Sequence, residues 1–422
     1  MQGCGTPGRD GGQGMTTNQE WREFTIDQLL SLSNGINADK SAYGHGIPFI
    51  NVLEVITHES LDTSDIPGRV TLPRKMLARY RVEHGDVLFN RTSETQEEVG
   101  LASVYLGDDA VVFGGFVFCG RPKTTDLDVD YSKYVFRAPG VRQQITARGQ
   151  GGIRANIGQR DLKSVRVLLP SGPEQRAIAR AIDDVTSLIT ILERLVAKKQ
   201  AIKQGMMQKL LTGRTRLPGF DDDWAAEVEI ADLAIVDPES LPSGTNPRTQ
   251  IDYISLEDVR RGELLGSSHL AFGVAPSRAR RVVRTGDVLF GTVRPNLQSH
   301  LLYTGELSNP IASTGFAVVR ANSNADPAFI FNLLMSDLTV VQIDRIIAGS
   351  NYPAVSSRDV RRLSFNAPNV EEQRAIAEVL TDAEAEIAAL RKRLAKARST
   401  KTGIMQQLLT GRTKLPAKEV ET

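Results

Sequence analysis

The sequence predicts an α+β protein built twice. Two tandem mixed α/β domains are each followed by one long α-helix, and the two helices pair as an antiparallel coiled coil with pseudo-twofold symmetry. Three observations lead there. Glu174-Gln175-Arg176-Ala177-Ile178-Ala179 recurs as Glu372-Gln373-Arg374-Ala375-Ile376-Ala377, and Leu210-Leu211-Thr212-Gly213-Arg214-Thr215 recurs as Leu408-Leu409-Thr410-Gly411-Arg412-Thr413, both displaced by 198 positions. Such a period lies far beyond the roughly 20–50 residues of a solenoid repeat and marks a duplicated domain-plus-helix unit. Between the repeated stretches, Gly85-Asp86-Val87-Leu88-Phe89 and Gly286-Asp287-Val288-Leu289-Phe290 recur amid divergent sequence.

Taken in order, the chain opens on a Gly-rich polar stretch without an apolar core, so residues 1–18 read as a disordered tail and not as a signal peptide. Met15 is an alternative start to Met1. The first domain occupies 19–170 and the second 219–368. Trp21 and Trp224, the only tryptophans, open the two domains at equivalent points and read as core anchors. Short β-like runs follow in matched pairs. Pro48-Phe49-Ile50-Asn51-Val52 answers Asp252-Tyr253-Ile254-Ser255-Leu256, and the Gly-Asp-Val-Leu-Phe runs read as a turn leading into a buried strand. Gly115-Phe116-Val117-Phe118 answers Gly315-Phe316-Ala317-Val318, and Arg160 to Val165 answers Arg358 to Leu363.

The helices occupy 171–218 and 369–417, before a short tail at 418–422. Pro173 and Glu174, then Pro368, Asn369, Glu371 and Glu372, are residue types that open helices. Ile178, Ile182, Val185, Ile189, Leu192 and Val196 step by four and three, a heptad seam, and Ile376, Leu380, Ala383, Ile387, Leu390 and Leu394 keep its register. Gly213 and Gly411 suit C-terminal caps, with Pro218 and Pro416 beyond them. At about 1.5 Å per residue, 174–211 would reach about 57 Å. The seam is assigned to the twin helix; the Leu210–Thr215 end could face the twin or a partner.

Hydrophobic content of 41% and charged content of 24% are ordinary for a globular protein. The two cysteines, Cys4 and Cys119, make no disulfide framework and suit a reducing, cytoplasmic setting. No apolar run is long enough for a membrane span. A net charge of +1 means that any nucleic-acid surface is local or is shared with a partner. The sequence contains no phosphate loop, no G-x-S-x-G elbow, no H-E-x-x-H pair, no adenine-methyltransferase Asn/Asp-Pro-Pro-aromatic motif and no convincing nuclease metal site. The five histidines lack ligand spacing, and His45 and His84 read as turn residues. No catalytic residue, metal site or cofactor is assigned to this chain.

What remains suits DNA contact. The loop after the first Gly-Asp-Val-Leu-Phe carries Arg91, Thr92 and Gln96, and its counterpart carries Arg294, Asn296 and Gln298. Arg, Asn and Gln make bidentate contacts to base edges. Arg74 and Lys75 with Arg79 and Arg81, and Arg278, Arg280 and Arg281 with Arg284, could neutralise phosphates. Arg154 and Asn156 precede the Arg160-Asp161 pair, and Asn351 sits similarly in the second copy. A solvated face is the bland reading of any one cluster; recurrence in both copies favours contact.

The domain–helix–domain–helix order and the three doubled motifs resemble the specificity subunits of type I restriction-modification systems, over about residues 19–417. The resemblance implies that each domain is a target-recognition domain reading one half of a bipartite double-stranded DNA site. It implies that the paired helices set the spacer, and that this subunit has no catalysis of its own. Two modification (methyltransferase) subunits binding S-adenosylmethionine would dock on it, and restriction subunits using ATP and Mg would join them. The two alternatives are an enzyme acting on DNA by itself and a coiled-coil scaffold without DNA binding.

Overall fold

A computed structural model describes residues 21–151, 154–347 and 353–415. The tails expected at 1–18 and 418–422, and Asn351, lie outside the described residues. The chain divides into two compact units: Met1–Ile191 with Leu394–Thr422, and Leu192–Arg393. The long helices, Gly172–Leu210 and Val370–Leu408, are each 39 residues long, and each gives part of its length to each unit.

In the first unit, a five-stranded sheet runs Leu30–Asn34, Val117–Pro122, Val87–Asn90, Ala102–Tyr105, Ser60–Leu61. A four-stranded sheet runs Arg69–Val70, Tyr43–Ile50, Val111–Phe113, Arg81–Val82. His45 therefore lies in a strand, while His84 is in a turn as expected. The second unit repeats the plan, with Ala234–Val236, Phe316–Ala321, Val288–Gly291, His300–Leu302 in one sheet and Ser268–Ala271, Gln250–Ile254, Pro310–Ser313, Ala279–Val282 in the other. Every residue of Val87–Asn90 and of Val288–Gly291 is buried, which is why those strands read as continuous apolar runs and not as alternating ones.

Two further expectations need correction. Arg160–Val165 and Arg358–Leu363 are not β-like. They carry the short helices Gln159–Lys163 and Ser357–Arg361. In the second, the Ser356 hydroxyl accepts from the Asp359 N–H while the Asp359 carboxylate accepts from the Ser356 N–H, a capping box that starts a helix in five residues. The pairing of Phe116 with Phe316 is also one residue out of register. Val117 opposes Asn90, whereas Phe316 opposes Gly291, the residue equivalent to Asn90. A one-residue slip exchanges the faces of a strand, so Phe116 is exposed on the turn while Phe316 is fully buried.

The repeated motifs build the joints between helix and sheet. Gln175 and Gln373 are 1% exposed. The Gln175 carbonyl accepts from the Asp128 N–H at 2.9 Å, and its amide donates to Asp126 O and Pro170 O at 2.7 and 3.0 Å. Gln373 does the same with Asp326, Asn324 and Pro368. At the other helix ends, Leu210 and Leu211 enter the core of the second unit beside Ile376 and Leu380, and Leu408 and Leu409 enter that of the first beside Ile178 and Ile182. Gly213 and Gly411 both have φ of +69°, and a Cβ on them would meet Trp224 at 3.4 Å and Trp21 at 3.3 Å. The tryptophans thus seat the helix ends. Trp224 also donates its indole N–H to Glu372, which is paired with Arg216.

The first residues of each expected seam belong to the domain cores, where burying each Ile or Leu contributes about 1.5–3 kcal/mol. Further along, Leu192, Ile387 and Leu390 are buried, while Val185, Ile189, Val196, Ala383 and Leu394 are half-buried. Within the second unit, Lys199 pairs with Glu386 and Lys203 with Glu384, so the two helix segments there run antiparallel.

The Asp of each Gly-Asp-Val-Leu-Phe motif is more than a turn residue. Asp86 and Asp287, each 1% exposed, take bidentate hydrogen bonds from Arg121 and Arg320 on the neighbouring strand. Removing Arg320, whose side chain is 22% exposed, would leave a buried carboxylate held only by its backbone partner. Arg320→Ala should therefore cost about 3 kcal/mol, read as a lower urea midpoint followed by Trp224 fluorescence in a Trp21→Phe background. Gly411→Ala should cost about 1–2 kcal/mol through its left-handed φ and the tryptophan behind it, read on Trp21 in a Trp224→Phe background. An unchanged midpoint in either case would contradict the role assigned.

Candidate nucleic-acid interface

In each unit the buried central strand runs out into a polar loop, and a short bridge from the segment before the last small helix clamps that loop. In the first unit, Thr92–Ser93 pairs with Ala155–Asn156, and the Thr92 hydroxyl donates to the Asn156 side chain at 2.6 Å. In the second, Val293 pairs with Ala354, and the Arg294 N–H donates to Pro353 O at 2.8 Å.

The structure brings Arg91, Thr92, Arg154 and Asn156 together. The Arg91 guanidinium lies over the Phe118 ring at 5.5 Å, and the Arg91 backbone N–H donates to Phe116 O. Thr92 and Arg154 line an open groove with Leu53, Glu94 and Phe116. Arg154 and Glu94 stand 4.0 Å apart with both side chains well exposed, an ion pair weak enough to open for a ligand. Gln96 is used differently: its amide donates to Thr146 O and Gly149 O, tying the loop to helix Pro139–Arg148. Arg74 and Lys75 lie elsewhere, exposed on helix Arg74–Tyr80, with Arg79 and Arg81 also exposed.

In the second unit the loop is more constrained. Gly291 packs so closely that a Cβ would meet Ser299 O at 2.6 Å, and its N–H donates to His300 Nδ1 at 3.0 Å. Arg294 and Gln298, at φ +50° and +53°, flank the 3-10 turn Pro295–Leu297. Arg294 and Asn296 are exposed, whereas Gln298 is half-buried and donates to Met335 O at 3.3 Å. Arg278 is exposed. Arg280 stacks on the Phe272 ring at 4.7 Å, and Arg281 is paired with the nearly buried Asp237 at 2.8 Å. Arg281 is thus a structural residue, its partner 44 positions away and silent in a local reading. Arg284 also has a partner, Glu239, whose carboxyl is held below the usual range by Arg320 first and Arg284 second.

The sequence reading passed over two features. One is the tight hairpin Val259–Arg260 to Glu263–Leu264, whose tip abuts the second loop; the Arg-Gly pair at 261–262 was its available signal. The other is His300, 2% exposed and stacked on Phe290 at 4.0 Å. Among the described residues no group of three His, Cys, Asp or Glu side chains could hold a metal ion. None of the described helices is long and apolar enough to cross a membrane.

Burial pushes the His300 imidazole down to about 3. The neutral ring therefore contributes stability that is fully present above its unfolded value near 6.5 and is lost as pH falls toward 3. Below about pH 6.5, His300 should remove about 1.4 kcal/mol of stability from the second unit per pH unit. Urea titrations of the native chain and of His300→Gln at pH 7, 6 and 5 should show the slope flatten in the variant; parallel slopes would exclude this role.

Residues 275–398 match the family model for the type I restriction modification DNA specificity domain. A Methanocaldococcus jannaschii protein described as the MjaX type I restriction enzyme specificity subunit is 23% identical over 416 residues, covering 93% of this chain and 94% of that protein. The EcoKI specificity subunit of Escherichia coli K12 is 26% identical over 227 residues, 50% of this chain and 47% of that one. The solved S subunit of a type I restriction-modification system from M. genitalium shares the fold, with a TM-score of 0.59 at 14% identity over 94% of this chain and 98% of that one. In its doubled domain-plus-helix architecture, its matched domain and these relatives, the chain is similar to the specificity subunits of type I restriction-modification systems.

Proposed function

We propose that each unit reads one half of a bipartite duplex DNA site, and that the two helices set the spacing between the half-sites and receive two modification subunits. The observation that carries this reading is the contrast between what the copies keep and what they vary. Both keep the Asp–Arg pair, the buried glutamine and the glycine seated on tryptophan. The loop set at the same place on this frame differs in sequence and backbone, carrying Arg91 and Thr92 in one copy and Arg294 and Asn296 in the other. Two readers on one frame suit two unrelated half-sites. Base edges take Arg and Asn bidentately, while Arg74, Lys75 and Arg278 suit phosphates that position the protein without reading sequence.

On this reading the chain performs no catalysis. S-adenosylmethionine, ATP and Mg are the business of modification and restriction subunits, which join it in the cytoplasm. The net charge of +1 fits a share of phosphate contacts supplied by those partners.

Footprinting of the assembled complex on genomic fragments should reveal two short protected blocks separated by an unread spacer. Absence of sequence-specific protection would leave a scaffold without DNA binding. Arg294→Ala should relax discrimination at one position of one half-site by roughly 1–3 kcal/mol. A uniform loss on all sequences would make it a phosphate contact. Inserting about one helical turn after Leu192 and after Leu390 should lengthen the spacer and leave both half-sites unaltered; altered half-sites would refute the spacer role.

A further inference from the structure

Five non-glycine residues among those described have positive φ, and three of them, Arg261, Arg294 and Gln298, meet at one place. Arg261, at φ +44°, and Gly262, at +89°, form the two-residue tip of the hairpin Val259–Arg260 to Glu263–Leu264. A tip with both φ values positive favours Asn or Asp before Gly, so arginine is a costly choice there. The tip is fastened to the reading loop at two points: the Arg261 N–H donates to Gln298 O at 3.1 Å and the Gly262 N–H to His300 O at 2.8 Å. Arg260 and Arg261 are both exposed, and neither guanidinium has a hydrogen-bond or ion-pair partner among the described residues. Glu263, the acid nearest in the hairpin, is turned to Arg391 at 3.8 Å.

Strained residues persist where the surroundings over-determine them, and they concentrate at binding sites. Elsewhere in this unit, Arg280 is stacked on a ring, while Arg281 and Arg284 are paired with acids. Arg261 is exposed, its backbone registered on the loop that carries Arg294 and Asn296. A flexible lysine on an ordinary turn would serve a phosphate. A planar guanidinium on a backbone fixed at both sides suits the two parallel bonds that a guanine edge accepts.

We propose that Arg261 is a specificity-determining residue of the second unit, taking a guanine edge in the half-site read by the 291–299 loop. This rests on the reading of the unit as a half-site reader. The test uses the assembled complex with its modification subunits. Equilibrium binding is measured on the cognate duplex and on duplexes changed singly at each position of that half-site. Arg261→Asn is the informative variant, because Asn favours the tip's backbone while removing the guanidinium. Its thermal midpoint should be unchanged or higher. Affinity for the cognate duplex should fall roughly ten- to hundredfold, with discrimination lost at one G·C position and kept elsewhere. Arg261→Lys should restore affinity in part, without bidentate discrimination. Equal loss on every duplex, with a shallower salt dependence, would make Arg261 a phosphate contact and overturn the proposal, as would unchanged binding. If the unaltered complex itself shows no sequence preference, the reading of the whole unit fails instead.

Discussion

The joint at which each long helix leaves its sheet domain is secured by one buried carboxamide. Where each helix starts, backbone N–H and C=O groups of the domain and of the junction are left needing partners. Gln175 and Gln373 answer with both sides of the amide, accepting from the N–H of the residue that caps a domain helix and donating to carbonyls on either side of the junction. A buried polar group is costly unless fully paired, so this arrangement tolerates little variation in geometry. It anchors the first turn of each 39-residue helix to its own domain. The far ends are secured by shape, with two leucines in a core and a glycine against an indole.

On this frame the variable surface can change cheaply. The central strands are buried on both faces and pinned by the Asp86–Arg121 and Asp287–Arg320 pairs. The loops beyond them carry little of the core. The first is an open stretch held by a short β-bridge and by Gln96, whereas the second is wound into left-handed and 3-10 backbone. The second loop therefore holds its side chains in a narrower range of directions.

Much of the architecture was legible because periodicity and exact duplication are local signals. The opening residues place the helix starts, expected at 171 and 369, within one residue of those observed, whereas the expected ends at 218 and 417 overrun the observed Leu210 and Leu408. The Gly-Asp-Val-Leu-Phe strand was visible, but its aspartate was not, since its partner lies on another strand 33 to 35 positions on. The same blindness made Arg281 look like a free cation. Arg160–Val165 misled because a few apolar residues fit a short strand and a short helix equally well. Phe116 was displaced by aligning residues instead of hydrogen-bond partners. The arginine at the hairpin tip had no counterpart in the other copy, so a comparison of copies could not raise it. Of the interface, the two loops were found, while the division of their cations into structural and available ones required the fold.

The boundary between the compact units falls inside the helices, between Ile191 and Leu192 and again between Arg393 and Leu394. The second unit is consequently one unbroken stretch of sequence, bordered on both sides by helix whose heptad register is the same in the two copies. A genetic crossover at those borders would hand over a complete unit, its sheets and both of its helix segments in one piece, and would rejoin helix to helix in the same heptad register. New combinations of units are thus open to recombination between related genes, with no need for a new joint to evolve.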